Sequence, residues 1–170
     1  YFCPMGIRDR KSIQNRLFHV ILQVLISFIS VSCTPLNTVS KADPVQQVIR
    51  EARSYSGVPY KWGGTSKKGL DCSGLIFCAY KPVGINLPHG TESLLQTGVK
   101  VKLKKVQPGD LLFFALSEKK KKVSHVGMVT QVRHGSVTFI HASTHGGVME
   151  SGLNEDYYKN GFLQARRIIQ

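Results

Sequence analysis

Between Leu111 and Ile169 the sequence settles into a repeated pattern that only a sheet accommodates. "LLFFAL" (111–116), "HVGMVTQV" (125–132), "SVTFIHA" (136–142), "GVMES" (147–151) and "FLQARRII" (162–169) are short runs rich in β-branched and aromatic residues. Gly- or Asn-bearing breaks separate them, and Arg133-His134-Gly135 predicts a tight hairpin between the second and third. The residues before them carry a helical period instead. Asp43-Pro44 reads as an N-cap followed by proline at the first helical position. Val45, Val48, Ile49 and Ala52 then recur at helical spacing to about Ser56, and Gly57 ends the run. A second helix is expected from about Cys72 to Tyr80, stopped by Pro82, and a short third one from about Thr91 to Gln96. "GVPYKWGGTSKKGLD" reads as loop. Helices followed by sequential strands predict an α+β domain, with the Cys72 helix packed on an antiparallel sheet of five to six strands.

Upstream, residues 5–33 run "MGIRDRKSIQNRLFHVILQVLISFISVSC": a basic flank, an apolar stretch from Leu17 to Val31, then small residues and Cys33. That order is expected of a secretory leader. The stretch is short for a membrane span, and His19 and Gln23 weaken it further. Cys33 resembles the acceptor cysteine of a bacterial lipoprotein, although Ser30 stands where an aliphatic residue is usual. Ordinary cleavage and an uncleaved anchor are the alternatives. The expected organisation is therefore a leader over 1–33, a tether over 34–43 and one folded domain over 44–170. This implies export to the cell envelope, with membrane attachment through the leader or a lipid.

The 170 residues hold 23 Lys and Arg against 10 Asp and Glu, a net charge of +13. From residue 34 onward 19 basic residues face 9 acidic ones, so the excess belongs mainly to the folded part. Such a field favours anionic polymers or lipids. Lys119 to Lys122 supply one cluster of it, most simply a solvated loop. No nucleic-acid reader motif occurs. The four cysteines form no CxxC pair, and Cys72 and Cys78 are six apart, on different faces of one helix. Neither a disulfide framework nor a metal or cofactor site is expected.

Cys72 sits at the mouth of an apolar run, whereas Cys78 sits inside it and reads as core. In the first turn of a helix a thiol meets the positive end of the helix dipole and free backbone N–H groups. These are expected to lower its pKa and to receive an oxyanion. Asp71 is expected to cap that helix. A nucleophile needs a base, and the base needs an orienting partner. His125 opens one predicted strand and His141 closes the next. On adjacent antiparallel strands those two positions lie side by side.

"YKWGG", "GLDCSGLI", "PGDLLFF", "SHVGMV" and "FIHAS", in this order and spacing, resemble the NlpC/P60 family of papain-like cell-wall peptidases over about residues 45–169. The resemblance implies a papain-like α+β fold. It also implies hydrolysis of peptidoglycan stem peptides, typically between D-γ-glutamate and diaminopimelate or lysine. Cys72 then matches the nucleophile, His125 the base and His141 the residue that orients it. Tyr60 matches a tyrosine lining the oxyanion site, and Asp71 and Ser73 match positions bordering the substrate groove. His89 stands where many relatives carry arginine. Papain-like amidase or acyltransferase chemistry uses the same groups, and a silent wall-binding lipoprotein would be expected to have lost one of them. His134 at the hairpin tip and His145 in a loop are not expected in the site, and Trp62 reads equally as packing or as a substrate contact.

Overall fold

A computed structural model of the chain describes residues 43–116 and 122–170. The leader, Cys33, all but the last residue of the tether, and Lys119 to Lys121 lie outside the described residues. The first helix, α1 (Pro44–Arg53), starts where Asp43 Oδ1 accepts the Val45 N–H at 3.0 Å. It ends three residues earlier than its apolar period suggests. Ser54 to Gly57 continue as turns, and the Gly57 N–H donates to Val148 O at 2.8 Å. Next come β1 (Thr65–Ser66), β2 (Gly69–Leu70), α2 (Cys72–Tyr80), α3 (Thr91–Leu95), β3 (Val99–Val101) and β4 (Leu111–Phe114). The remainder is β5 (His125–Arg133), β6 (Ser136–Ser143), β7 (Gly147–Gly152), α4 (Asp156–Gly161) and β8 (Phe162–Arg167).

Six of the strands form one sheet in the order β3-β8-β4-β5-β6-β7, antiparallel at every junction. All four residues of "LLFF" are buried because both faces of the sheet are covered. On one face Leu111, Phe113, Val126, Met128, Ile140 and Ala142 meet Val48, Ile49 and Ala52 of α1 and Leu75, Ile76 and Ala79 of α2. On the other, Leu112, Phe114, Val129, Phe139 and Ala165 are closed over by Val106, Leu153 and Tyr158 of α4. Each large side chain so buried contributes about 1.5–3 kcal/mol. Helix α2 is apolar all round because it is enclosed all round; of its nine residues only Phe77 retains appreciable exposure. At its C-terminal end the Tyr80 hydroxyl donates to Gly109 O at 2.7 Å, fixing the helix against the entry to β4.

The α+β class, the antiparallel sheet, the three helix positions and the five strand runs agree with the sequence reading. At the predicted hairpin, His134 (φ 48°) and Gly135 (φ 81°) both adopt the left-handed region, as a two-residue I′ turn requires. The segment read wholly as loop contains the β1–β2 ribbon, whose two-residue strands are too short to carry a period. Strand β3 and helix α4 escape the sequence reading for the same reason, at three and six residues.

Candidate active site

The site begins with a carboxylate. Asp71 precedes α2, and its Oδ1 accepts the Gly74 N–H at 2.6 Å and the Ser73 hydroxyl at 2.9 Å. His89 Nε2 lies 3.2 Å from the same oxygen, while Oδ2 accepts the Gly63 N–H at 2.8 Å. Burial pushes the carboxyl pKa up. The hydrogen bonds from Gly74, Ser73, His89 and Gly63 outweigh it and hold the pKa below the usual range, so the group is a carboxylate at neutral pH. One side chain thus caps α2 and ties it to the "YKWGG" loop. The two glycine-bearing motifs meet there: a Cβ on Gly74 would run into the Gly64 carbonyl oxygen. Replacing Asp71 with Ala would strand several buried donors, and a stability loss of about 2–4 kcal/mol is expected. A urea-unfolding midpoint within error of the unmodified protein would contradict this role for the cap.

Cys72 is the first residue of α2, 8 % exposed, on the wall of a cleft of about 490 Å³. Tyr60, Asp71, Ser73, His89 and His125 line the same cleft, with Trp62 standing 86 % exposed at its rim. The expectation that helix placement lowers the thiol pKa is corrected here. Burial pushes it up to about 11, and the adjacent Asp71 carboxylate adds to that. The N–H groups of Val126, Ser73 and Cys72 itself pull the other way and do not prevail. The resting thiol is therefore protonated and would need a base to act as a nucleophile. Tyr60 pairs with Leu70 just ahead of the cysteine. Burial, with Cys72 and Asp71 nearby, raises its phenol pKa and keeps it a donor.

The candidate base is placed by the sheet. His125 opens β5 opposite Phe114, and His141 lies near the end of the neighbouring β6. His125 Nε2 and His141 Nδ1 are 2.9 Å apart, with the rings nearly perpendicular. The predicted juxtaposition of the two strand histidines is met. His141 is 1 % exposed, and its Nε2 lies 3.1 Å from Ser151 Oγ and 3.2 Å from the Tyr158 hydroxyl. With His141 Nε2–H donating to those oxygens, its Nδ1 accepts from His125 Nε2–H. The Nδ1 of His125 then keeps a lone pair for a proton. Burial pushes His125 down to about 3, with His141 adding to the effect, and pushes His141 down to about 4. Both imidazoles are neutral at pH 7.

Neutral burial has a consequence for stability. Below about pH 6.5 the unfolded chain binds protons at these two histidines and the folded chain does not, so unfolding is favoured as pH falls. Their contribution is intact above about 6.5 and is lost progressively as pH falls, through about 4 for His141 and about 3 for His125. A lower urea midpoint at pH 5 than at pH 7 is expected, with a shallower dependence for His141→Asn. Equal midpoints would contradict the buried neutral pair.

Ser151 and Tyr158 are not evident from sequence. Ser151 sits in an ordinary strand run, and Tyr158 belongs to α4, which has no legible period. Ser73 proves to be a buried partner of Asp71 as well as a cleft residue. Trp62 is a rim residue rather than packing, His134 is exposed at its hairpin, and His145 lines a hollow beyond His125. Cys78 points elsewhere, its thiol donating to Thr65 O at 3.2 Å.

Residues 57–167 match the sequence profile described as the NlpC/P60 family. The chain is 33 % identical over 134 residues to the murein DD-endopeptidase MepS/murein LD-carboxypeptidase of Escherichia coli K12, covering 78 % of this chain and 68 % of that one. It is 38 % identical over 131 residues to the gamma-DL-glutamyl hydrolase of Bacillus subtilis, covering 74 % of this chain and 30 % of that one. Its fold superposes on the crystal structure of an NlpC/P60 family protein from Bacillus cereus with a TM-score of 0.66 and 34 % identity, covering 74 % of this chain and 40 % of the other. The chain thus spans about two thirds of the first relative and less than half of the other two.

Proposed function

The chain belongs to the NlpC/P60 family and is a hydrolase of the peptidase type, and from that premise we propose that it is an exported cysteine endopeptidase that cuts peptidoglycan stem peptides. The observation that carries the reading is the 2.9 Å contact between His125 and His141 beside a cleft that also holds Cys72 at a helix N-terminus. Relatives named as murein and γ-glutamyl hydrolases support the substrate class.

In this mechanism His125 Nδ1 takes the proton from Cys72 as Sγ attacks the scissile carbonyl carbon. The carbonyl π electrons move to oxygen, and the oxyanion is held by the Cys72 N–H and the Tyr60 hydroxyl. The neutral starting pair suits this order of events, because the proton moves only when substrate is present to be attacked. Collapse of the tetrahedral intermediate breaks the C–N bond. His125 gives its proton to the departing amine while a thioester remains on Cys72. Water, deprotonated by His125, then hydrolyses the thioester and restores the thiol. His141, held from behind by Ser151 and Tyr158, keeps the His125 ring in the orientation and tautomer that each transfer needs.

The bond we propose is D-γ-glutamyl–diaminopimelate, and residues 1–33 are proposed as a leader that ends in lipidation at Cys33. Purified muropeptides incubated with the protein and resolved by mass spectrometry test the first point, since the fragment masses name the bond. Fragments released only at the D-alanyl cross-link would replace it with a DD-endopeptidase reading. Intact stems throughout would overturn the peptidoglycan assignment. The mass of the mature N-terminal peptide from a membrane extract tests the second point.

A further inference from the structure

The groove continues past the catalytic pair. A second hollow, of about 540 Å³, shares Ser124, His125 and Thr144 with the first. Cys72 lines the first and not the second, whereas His125 lines both. That asymmetry orients a bound peptide. The carbonyl under attack must lie over Cys72 and the departing nitrogen must lie against His125, which protonates it. The acyl half therefore occupies the hollow with Asp71, and the amine half runs beyond His125 into the second.

The second hollow is shaped for more than one residue. Its volume falls within the range of about 300–1,000 Å³ typical of sites that enclose whole small molecules. Tyr157 stands 61 % exposed at its edge, braced against the ring of Tyr158 at 5.1 Å. It offers a flat apolar surface to an aliphatic side chain. The turn at 143–146, which also lines the hollow, is pinned internally. Ser143 Oγ accepts the N–H groups of His145 and Gly146 at 3.3 and 3.4 Å, and Thr144 Oγ1 lies 3.1 Å from His145 Nδ1. Hydroxyl and imidazole groups held in place in this way suit the amides and terminal carboxylate of a peptide.

We infer that this hollow is a leaving-group subsite, and that it makes the enzyme select substrates whose scissile amine belongs to an extended peptide, such as a second stem, over those that release a single amino acid. The inference rests on the peptidase reading above and adds to it the side of the bond on which selectivity is exercised. Its contribution to rate enters through binding energy far from the reacting atoms.

The test compares two synthetic substrates with one acyl half, the first releasing diaminopimelate alone and the second a diaminopimelyl tripeptide. The full chain is expected to show a kcat/KM about tenfold or more higher for the second, the size of one or two good pocket contacts. Tyr157→Ala should reduce that ratio to below about threefold, because the ring it removes serves only the extended substrate. Trp62→Ala, on the acyl side, should lower both rates and leave the ratio in place. Equal rates on the two substrates with the unmodified protein would overturn the inference and leave the peptidase reading standing. An undiminished ratio in Tyr157→Ala, with an unchanged circular dichroism spectrum, would also overturn it. Failure to hydrolyse either substrate would overturn the peptidase reading and this inference with it.

Discussion

With Cys72 replaced by Ala, hydrolysis is expected to fall by about 10⁴-fold or more, the scale on which loss of a covalent nucleophile is felt even when the rest of the site survives. The fold should tolerate the change. Cys72 makes no contact on which the Asp71 cap depends, and its neighbours Ser73 and Gly74 retain their bonds to that carboxylate. Cys78→Ala is the matched control, since it removes from the same helix a thiol that donates to Thr65 O and lies outside the cleft lining. That variant should lose about 1 kcal/mol of stability and keep its activity. Equal losses from the two substitutions would mean that helix integrity, not the thiol, is being measured.

Replacing His125 with Ala is expected to reduce kcat/KM by about 10³-fold, within the range general acid–base catalysis supplies. The more telling result is the shape of what remains. In the unmodified protein the base is neutral across the physiological range, because burial pushes His125 down to about 3, and the rate should be nearly flat from pH 6 to 8. Without it, attack requires thiolate formed by solvent, and the thiol is pushed up to about 11. The residual rate should therefore climb about tenfold per pH unit through that range. A flat residual profile would mean that another group serves as the base. His141→Ala should cost less, because it removes the residue that orients the base and leaves the base in place.

The parts of the site that can be read from sequence are those fixed by local rules. Asp71 before Cys72 announces a capped helix start, and a thiol in the first turn of a helix follows from it. His125 and His141 can be paired because antiparallel connectivity places the start of one strand beside the end of the next, whatever the register. Two features depend on three-dimensional packing and are not legible. The thiol's environment reverses the expected pKa shift, because a helix N-terminus exerts its pull through a few N–H groups while burial of the side chain acts on the whole charge, with the Asp71 carboxylate adding to it. The layer behind His141 is also hidden. Ser151 and Tyr158 reach it from β7 and α4, elements joined to it only by sheet order and by the packing of a six-residue helix. The glycines of "YKWGG" and "DCSG" lie between these cases. Their spacing marks a motif, but that Gly74 lies against the Gly64 carbonyl becomes clear only when α2 is seated on the loop.

The arrangement also separates two tasks along one groove. The hollow that holds Cys72 carries Asp71 and Glu92, while the hollow beyond His125 presents Tyr157 and the pinned 143–146 turn. His125 lines both hollows, so under the proposed mechanism one base serves both halves of the reaction without moving.

The proposed covalent mechanism comes down to one chemical event, the transfer of the acyl half of the substrate to Cys72. Turnover of a stem peptide, quenched in acid within the first cycles and followed by peptide mapping of the protein, detects that event. The expected result is a mass increment equal to the acyl fragment on the peptide that spans both cysteines, with fragment ions placing it on Cys72 and not on Cys78. An increment on any other residue, or the same increment in the Cys72→Ala protein, would contradict it.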